Sequence, residues 1–435
     1  MKEKRLLIKN ITSLGVVQIV NYAFPLITIP FVSRILGPSS LGTINYINAF
    51  IVYFTVLVGY GFDYSATRKI AANYNDIKNR DLVFSEVISA RLLLLTLSVL
   101  IFICCIFTVP ILRENSLLSF LIFFNVVAVF LSPYYIFQGL QNLSLYSFVN
   151  LIRGGLSTLL ILLLIRKKDD YIIYAAITVL LNLLSSIYFF CYAFFKYKIA
   201  FKFLSIKHSI KLLVEDRYIF FSSIIWSLYT STNTVILGFF VNTEEVAYYT
   251  VAVGFINIVQ SITHIPITTS LYPFLGNSLS NDKEQGLSYL RIITPIIFYF
   301  TFLCGLFIFI FSSFIIKIVY GEQFMNSVVC LMILSFMPLA SCMVNLLGIQ
   351  VMYNLKMDRA FVKITFIGAI ASIILNLIFC YYFGYIGPCI VLVLTEIFIL
   401  FKTYFKLTKM GINIIDKDNF KPSFVKNNIQ SILRK

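Results

Sequence analysis

The chemistry in this sequence begins with ionised side chains standing inside apolar runs. Arg91 lies five residues into one such run and Arg153 five residues into another, while His264 and Glu396 fall within two later ones. Lys363 is shallower, and Arg34 closes the first run. An ionised group at mid-bilayer costs from about 2.5 to more than 10 kcal/mol, so it is kept for a function or held by a partner. Arginine presents a planar fork that donates two parallel hydrogen bonds, a geometry that matches a diphosphate. Arg34, Arg91, Arg153 and Lys363 are therefore read as the cations of a vestibule that draws in a phosphorylated substrate. Glu396 is expected to pair with one of the arginines or, with His264, to carry a coupling ion. The plainer readings are snorkelling for Lys363 and Arg91, and a structural role for the histidine.

Uncharged polar residues in the same runs add to this set. Gln18, Asn21, Asn45, Asn48, Asn233, Asn257, Gln260 and Asn345 all sit among apolar neighbours. Asn45 and Asn48 are three apart, as are Asn257 and Gln260, so each pair shares a helix face. Such faces either glue helices together or line a wet cavity. Sugars need amide and hydroxyl partners, which makes Asn45, Asn257 and Gln260 candidate substrate contacts. No spacing of Cys and His suggests a metal, and six of the eight cysteines lie in apolar runs as small buried thiols. No cofactor motif or Walker-type glycine loop is present.

The elements that position these residues follow from the solvent. Of 435 residues, 59% are hydrophobic and 12% charged, with a mean hydropathy of +0.90. A water-soluble domain carries roughly a quarter charged residues, so the surrounding medium must be lipid. Backbone groups in lipid must be paired internally, which leaves helices or closed barrels. The long continuous runs exclude the ten-residue alternation of barrel strands. They predict an all-α polytopic protein with spans near 11–33, 42–62, 86–109, 116–138, 148–165, 172–195, 218–240, 248–271, 292–311, 328–350, 360–383 and 385–402. The first run is too long for a cleavable signal peptide and is expected to stay as a span.

Loop charge orients the spans. With the N-terminus inside, all but six of the 35 Lys and Arg fall on cytoplasmic segments or helix ends, the exceptions being Arg34, Arg113, Arg166, Lys167, Lys168 and Lys317. Both termini are then cytoplasmic, and the net charge of +16 reflects topology rather than affinity for nucleic acid. The basic stretch 196–217 follows six spans. It divides the chain into an N-terminal bundle (1–195), a linker (196–217), a C-terminal bundle (218–402) and a basic tail (403–435). Weak internal echoes support two halves: Asn142 to Phe148 resembles Asn354 to Phe361, and Pro133 and Pro338 occupy matching places in the fourth and tenth spans. Both halves start in the same direction, a parallel repeat suited to alternating access.

The stretch Ser33-Arg34-Ile35-Leu36-Gly37-Pro38 followed by Leu41-Gly42, and continuing through Gly59-Tyr60-Gly61-Phe62 to Ala66-Thr67-Arg68, resembles the Wzx-type polysaccharide flippases. These share a superfamily with the multidrug and toxin extruders. Pro133 to Gly139 and Tyr320-Gly321-Glu322-Gln323-Phe324 resemble the same family. The resemblance implies a MATE-like fold of two pseudo-symmetric six-helix bundles in the bacterial inner membrane. It also implies flipping of undecaprenyl-diphosphate-linked repeat units, for O-antigen or a related polysaccharide, from the cytoplasmic to the periplasmic leaflet. Implied partners are the lipid-linked oligosaccharide and membrane lipids, with a polysaccharide polymerase and chain-length regulator as candidate protein partners. Two rivals remain: an extruder of organic cations, which would want an acid-lined pocket, and a membrane-embedded polymerase. The second would want a large catalytic loop, yet the expected outer loops are short.

Overall fold

The computed structural model describes the backbone of residues 2–72, 76–267, 271–415 and 419–421, with most side chains from Phe24 onward. The side chains of Gln18, Asn21 and the N-terminal basic residues, and Lys417, Lys426, Arg434 and Lys435, lie outside the described residues. The described backbone is helical and holds no strand.

Two compact units divide the chain between Val235 and Ile236. The first contains α1 (Lys2–Gly59), α2 (Phe62–Ala72), α3 (Ile77–Thr108), α4 (Pro110–Glu114), α5 (Ser116–Leu131), α6 (Tyr134–Gly139), α7 (Leu143–Leu164), α8 (Tyr171–Lys196) and α9 (Ile206–Thr230). Helix α10 (Thr232–Phe240) crosses the division. The second contains α11 (Thr243–Pro266), α12 (Tyr272–Asn281), α13 (Lys283–Val319), α14 (Ser327–Leu334), α15 (Met337–Val344), a π-helix (Asn345–Tyr353), α16 (Asp358–Phe383) and α17 (Gly387–Thr408).

Among the described residues, nine helical segments are long and apolar enough to cross a membrane. Phe24–Ala72 and Asp358–Thr408 are each about twice a single crossing and take in the expected spans one with two and eleven with twelve. The seventh expected span, 218–240, is the broken pair α9–α10 and is not among the nine. Both long segments are interrupted, the first at Gly37 and Gly61 and the second at Gly384, all at positive φ.

The long first element bends where its sequence demands. Gly37 adopts φ 71° and ψ 177° inside α1, and Pro38 follows it. Only glycine takes that conformation without steric cost, and proline cannot continue the hydrogen-bond ladder. The Gly-Pro pair therefore marks the turn between spans one and two.

Spans four and ten are both broken near a proline. In the first unit α5 stops at Leu131, Ser132 is extended, and Pro133 caps α6. In the second, α14 ends at Leu334 and Pro338 lies in the first turn of α15. After each break the chain turns with the same signature. Asn142 N–H donates to the Phe137 carbonyl and Met357 N–H to the Met352 carbonyl, each five residues back. The preceding Gln141 and Lys356 both sit at positive φ, 53° and 58°. This six-to-one bond around a left-handed residue closes a helix end. The two turns pair Gln141 with Lys356 and Asn142 with Met357, a register three residues away from the Asn142 and Asn354 echo.

The basic linker is strapped to α3. Asp81 Oδ2 accepts from Ala200 N–H at 3.1 Å, Ser85 Oγ from Lys202 N–H at 3.1 Å and Ser89 Oγ from Leu204 N–H at 3.0 Å. Four residues of helix advance about 6 Å, and two residues of extended chain advance about 6.6 Å. The two spacings match, so each second linker residue meets the next helical turn. Ser205 then caps α9 by accepting from His208 N–H, and His208 Nε2 meets Glu86 Oε1 at 2.9 Å.

Arg91 fastens the break in span four. It is 1% exposed and donates from Nη1 to the carbonyls of Val129 at 3.1 Å and Ser132 at 2.6 Å. Its Nη2 donates to Asp63 Oδ1 at 3.1 Å, and its guanidinium lies 5.5 Å from the centre of the Tyr135 ring. Replacing Arg91 with methionine keeps the length and removes every donor, which takes the guanidinium from the Ser132 carbonyl and leaves Val129 with the Ser132 N–H alone. The expected loss is about 3 kcal/mol, since hydrogen bonds to charged groups are worth roughly 1.5–3 kcal/mol each. It would be read as a lower midpoint of heat-induced aggregation of the purified protein, with Arg91→Lys falling between the two.

Candidate functional site

Helix α7 shows which way the inside of the first unit lies. Phe148, Ile152, Leu156, Leu159 and Leu163 are all exposed and fall on one side at helical spacing. They are the lipid face. Tyr146, Asn150, Arg153 and Ser157 recur at four, three and four residues on the opposite side. Asn150 is buried there, its Nδ2 donating to the Tyr146 carbonyl at 2.8 Å. The sequence therefore turns its one charge in this span away from lipid.

Arg153 opens into a cavity of about 540 Å³ enclosed by α1, α5, α7 and α8. Asn45, Asn48, Asn125, Ser157 and Asn182 line it as well. Arg153 Nη1 donates to Asn182 Oδ1 at 2.6 Å, and Asn182 Nδ2 donates to Asn125 Oδ1 at 3.0 Å. A guanidinium has no acceptor, so it fixes the Asn182 amide with oxygen toward Arg153. That leaves the Asn182 nitrogen to donate onward, which in turn fixes Asn125 with its oxygen consumed. The relay ends in donors: the Asn125 amide N–H groups and the other N–H groups of Arg153. No Asp or Glu is among the described lining residues. A positive charge with amide donors and no carboxylate among the described lining residues is chemically suited to an anion.

The structure gathers some of the expected residues and separates others. Arg153 and Asn45 line the same cavity. Arg91 does not line that cavity: its terminal nitrogens donate to Val129, Ser132 and Asp63. Its carboxylate partner is Asp63, not Glu396. Arg34 is exposed beside the Gly37 bend, and Lys363 is exposed on α16. Asn257 is exposed on α11, its carbonyl accepting from Ser261 Oγ at 2.7 Å. In the second unit Gln260 and His264 converge on one hydroxyl: Gln260 Nε2 donates to Ser341 Oγ at 2.9 Å, and His264 Nε2 lies 3.2 Å from it. Glu396 is buried on α17.

Asn125 and Asn182 line the cavity as well, and neither is among the residues the sequence singles out. The signal was available, since each is an amide inside an apolar run like Asn45. Their pairing across 57 residues was not.

The family described as polysaccharide biosynthesis protein matches residues 7–279. A relative from Escherichia coli (strain K12), provisionally named an O-antigen transporter, is 26% identical over 388 residues, covering 89% of this chain and 93% of that protein. A relative from Shigella dysenteriae with the same provisional name is 24% identical over 400 residues, covering 90% of this chain and 98% of that protein. Two solved structures are similar in fold. One is an inward-facing multidrug resistance MATE family transporter of the MOP superfamily, with TM-score 0.72 and 16% identity over 92% of this chain and 99% of that one. The other is the lipid II flippase MurJ in an inward closed conformation, with TM-score 0.71 and 16% identity over 97% of this chain and 91% of that one.

The amide relay yields a prediction that needs no knowledge of the full ligand. Asn182→Asp places a carboxylate against Arg153, which offsets the cavity's charge while keeping the side-chain volume. Titration of the purified protein with inorganic pyrophosphate is expected to show binding by the parent and at least tenfold weaker binding by Asn182→Asp, a difference of about 1.4 kcal/mol. Equal affinities would show that Arg153 does not hold the anion.

Proposed function

This chain belongs to the polysaccharide biosynthesis protein family, and from that premise we propose that it flips undecaprenyl-diphosphate-linked oligosaccharide repeat units, such as those of O-antigen, from the cytoplasmic to the periplasmic leaflet. The observation that carries the reading is the cavity at Arg153, which holds a cation and amide donors and no carboxylate among its described lining residues. A diphosphate entering the membrane must lose water, and a buried guanidinium with amide donors replaces those hydrogen bonds. The amides and hydroxyls of Asn45, Asn48 and Ser157 supply partners for neutral polar groups beside it. The lipid tail needs no pocket, since it can stay in the bilayer.

Polytopic helices, the family and the names of the relatives support a transporter over an enzyme. In this reading the two repeats are six-helix bundles that work by alternating access, in an inner membrane with both termini cytoplasmic. Arg34, Lys363, Asn257 and Gln260 lie on the path of the headgroup, while His264 and Glu396 couple an ion to the cycle. A polymerase and a chain-length regulator receive the product. The multidrug reading is disfavoured by one particular: an organic cation would meet Arg153 with no carboxylate in the cavity lining.

Removing the protein from its host and following labelled lipid-linked units tests the reading. Units are expected to accumulate on the cytoplasmic face; normal translocation with failed polymerisation would favour the enzyme instead. Arg153→Ala should lower surface polysaccharide at least tenfold at unchanged protein level, and unaltered polysaccharide would remove Arg153 from the path.

A further inference from the structure

The wet face of α7 does not end at Arg153. Tyr146 stands seven residues before it on the same side, about 10 Å along the helix. Its ring lies on the buried ring of Phe189, with centroids 4.7 Å apart and planes inclined by 25°. Tyr134, from the first turn of α6, packs against Tyr146 with a centroid distance of 4.8 Å. Tyr134 is inclined by 52° to Tyr146, so the three rings form a stacked pair with a tilted outer ring, graded in burial from Phe189 to the partly exposed Tyr134.

Asp63 stands beside the outer end of this stack, within electrostatic reach of both tyrosines. Its Oδ1 is pinned by the buried Arg91. Among the described residues its Oδ2 has no hydrogen-bond donor, and the side chain is 46% exposed. A half-exposed carboxylate at a helix end marks water, not lipid. The neighbouring Tyr64 is 73% exposed. Thus an anchored acceptor and a rigid aromatic face sit together on the aqueous side of the unit, two turns of α7 away from the cation.

We infer that Asp63, Tyr134 and Tyr146 form a saccharide platform that binds the sugar next to the diphosphate. This rests on the flippase reading and deepens it. A pyranose ring has an apolar C–H face that stacks on an aromatic ring, and vicinal hydroxyls that donate to a carboxylate. Tyr134 supplies the face and Asp63 Oδ2 the acceptor. The charges also set polarity: Arg153 attracts the diphosphate, while Asp63 repels it and accepts only hydrogen-bond donors. Arg91 acts as a positioning residue here, holding Asp63 by one oxygen so that the other faces out.

The test uses full-length protein in a flippase-deficient host, with pyrophosphate titration of the same purified variants. Tyr134→Leu is expected to lower export of the repeat unit at least tenfold while pyrophosphate affinity stays within twofold. Tyr134→Phe, which keeps the stacking face, is expected to restore a third or more of the export. Asp63→Asn retains an oxygen for Arg91 but removes the charge, and should lower export in the same way. Normal export by both Tyr134→Leu and Asp63→Asn would overturn the platform, even though Arg153→Ala still blocked export. Loss of pyrophosphate affinity together with export in Tyr134→Leu would also overturn it, because the ring would then be packing for the cavity. If the parent protein itself moves no lipid-linked unit, it is the flippase reading that falls.

Discussion

A guanidinium in hydrocarbon must find acceptors, and the first unit is organised around that requirement. Five N–H groups with no acceptor among them cannot be hidden by packing alone. Arg91 and Arg153 answer the demand in different ways, and in Arg91 it is the terminal nitrogens that are paired while Nε is buried without a hydrogen-bond partner. Proline at 133 breaks span four, and of the carbonyls just before the break Val129 keeps one backbone donor, the Ser132 N–H. Arg91 supplies donors at that place, to Val129 and Ser132. The charge and the break each remove the other's cost. Removing either leaves the remaining one unsatisfied, so they act as one structural feature.

Arg153 is satisfied by an amide instead, and this makes it chemically different. Asn182 takes one N–H and passes the polarity on to Asn125. The relay costs little, because an asparagine accepts and donates with one planar group. Its consequence is that the cavity is left with donors. A carboxylate in place of Asn182 would hold Arg153 more tightly and cancel its field. The amide holds the side chain in position without quenching it, which is what a reversible anion site requires.

Much of the fold was legible because lipid leaves few choices. Continuous apolar runs had to be helices, the Gly37-Pro38 pair had to be a turn, and Pro133 and Pro338 had to interrupt their spans. Breaks inside spans were less legible, since the apolar runs do not show where α9 gives way to α10 or where α15 widens into the π-helix. Of the site, Arg153 and Asn45 were readable as polar groups in the wrong solvent. Arg91 carried the same local signature, five residues into an apolar run. What separates it from Arg153 is a helix break about 40 residues away, and no window on the sequence contains both. Asp63 was hidden for the same reason, as it lies at the end of a span and gains meaning only from Arg91.

The two repeats share their breaks and turns but not their chemistry. In the second unit, the break near Pro338 has glycine where the first has arginine: a Cβ on Gly305 would come 2.9 Å from the Ser335 carbonyl, so α13 closes directly on the interrupted strand of carbonyls. The chain then widens into the π-helix Asn345–Tyr353, and Gln350 is fully buried with its Nε2 donating to Asn345 Oδ1 at 3.2 Å. Neutral amides and close packing do there what charge does in the first unit. A duplicated scaffold with identical halves would present the same field from both. The first unit keeps the Arg153–Asn182–Asn125 relay, and the second brings Gln260 and His264 to the Ser341 hydroxyl.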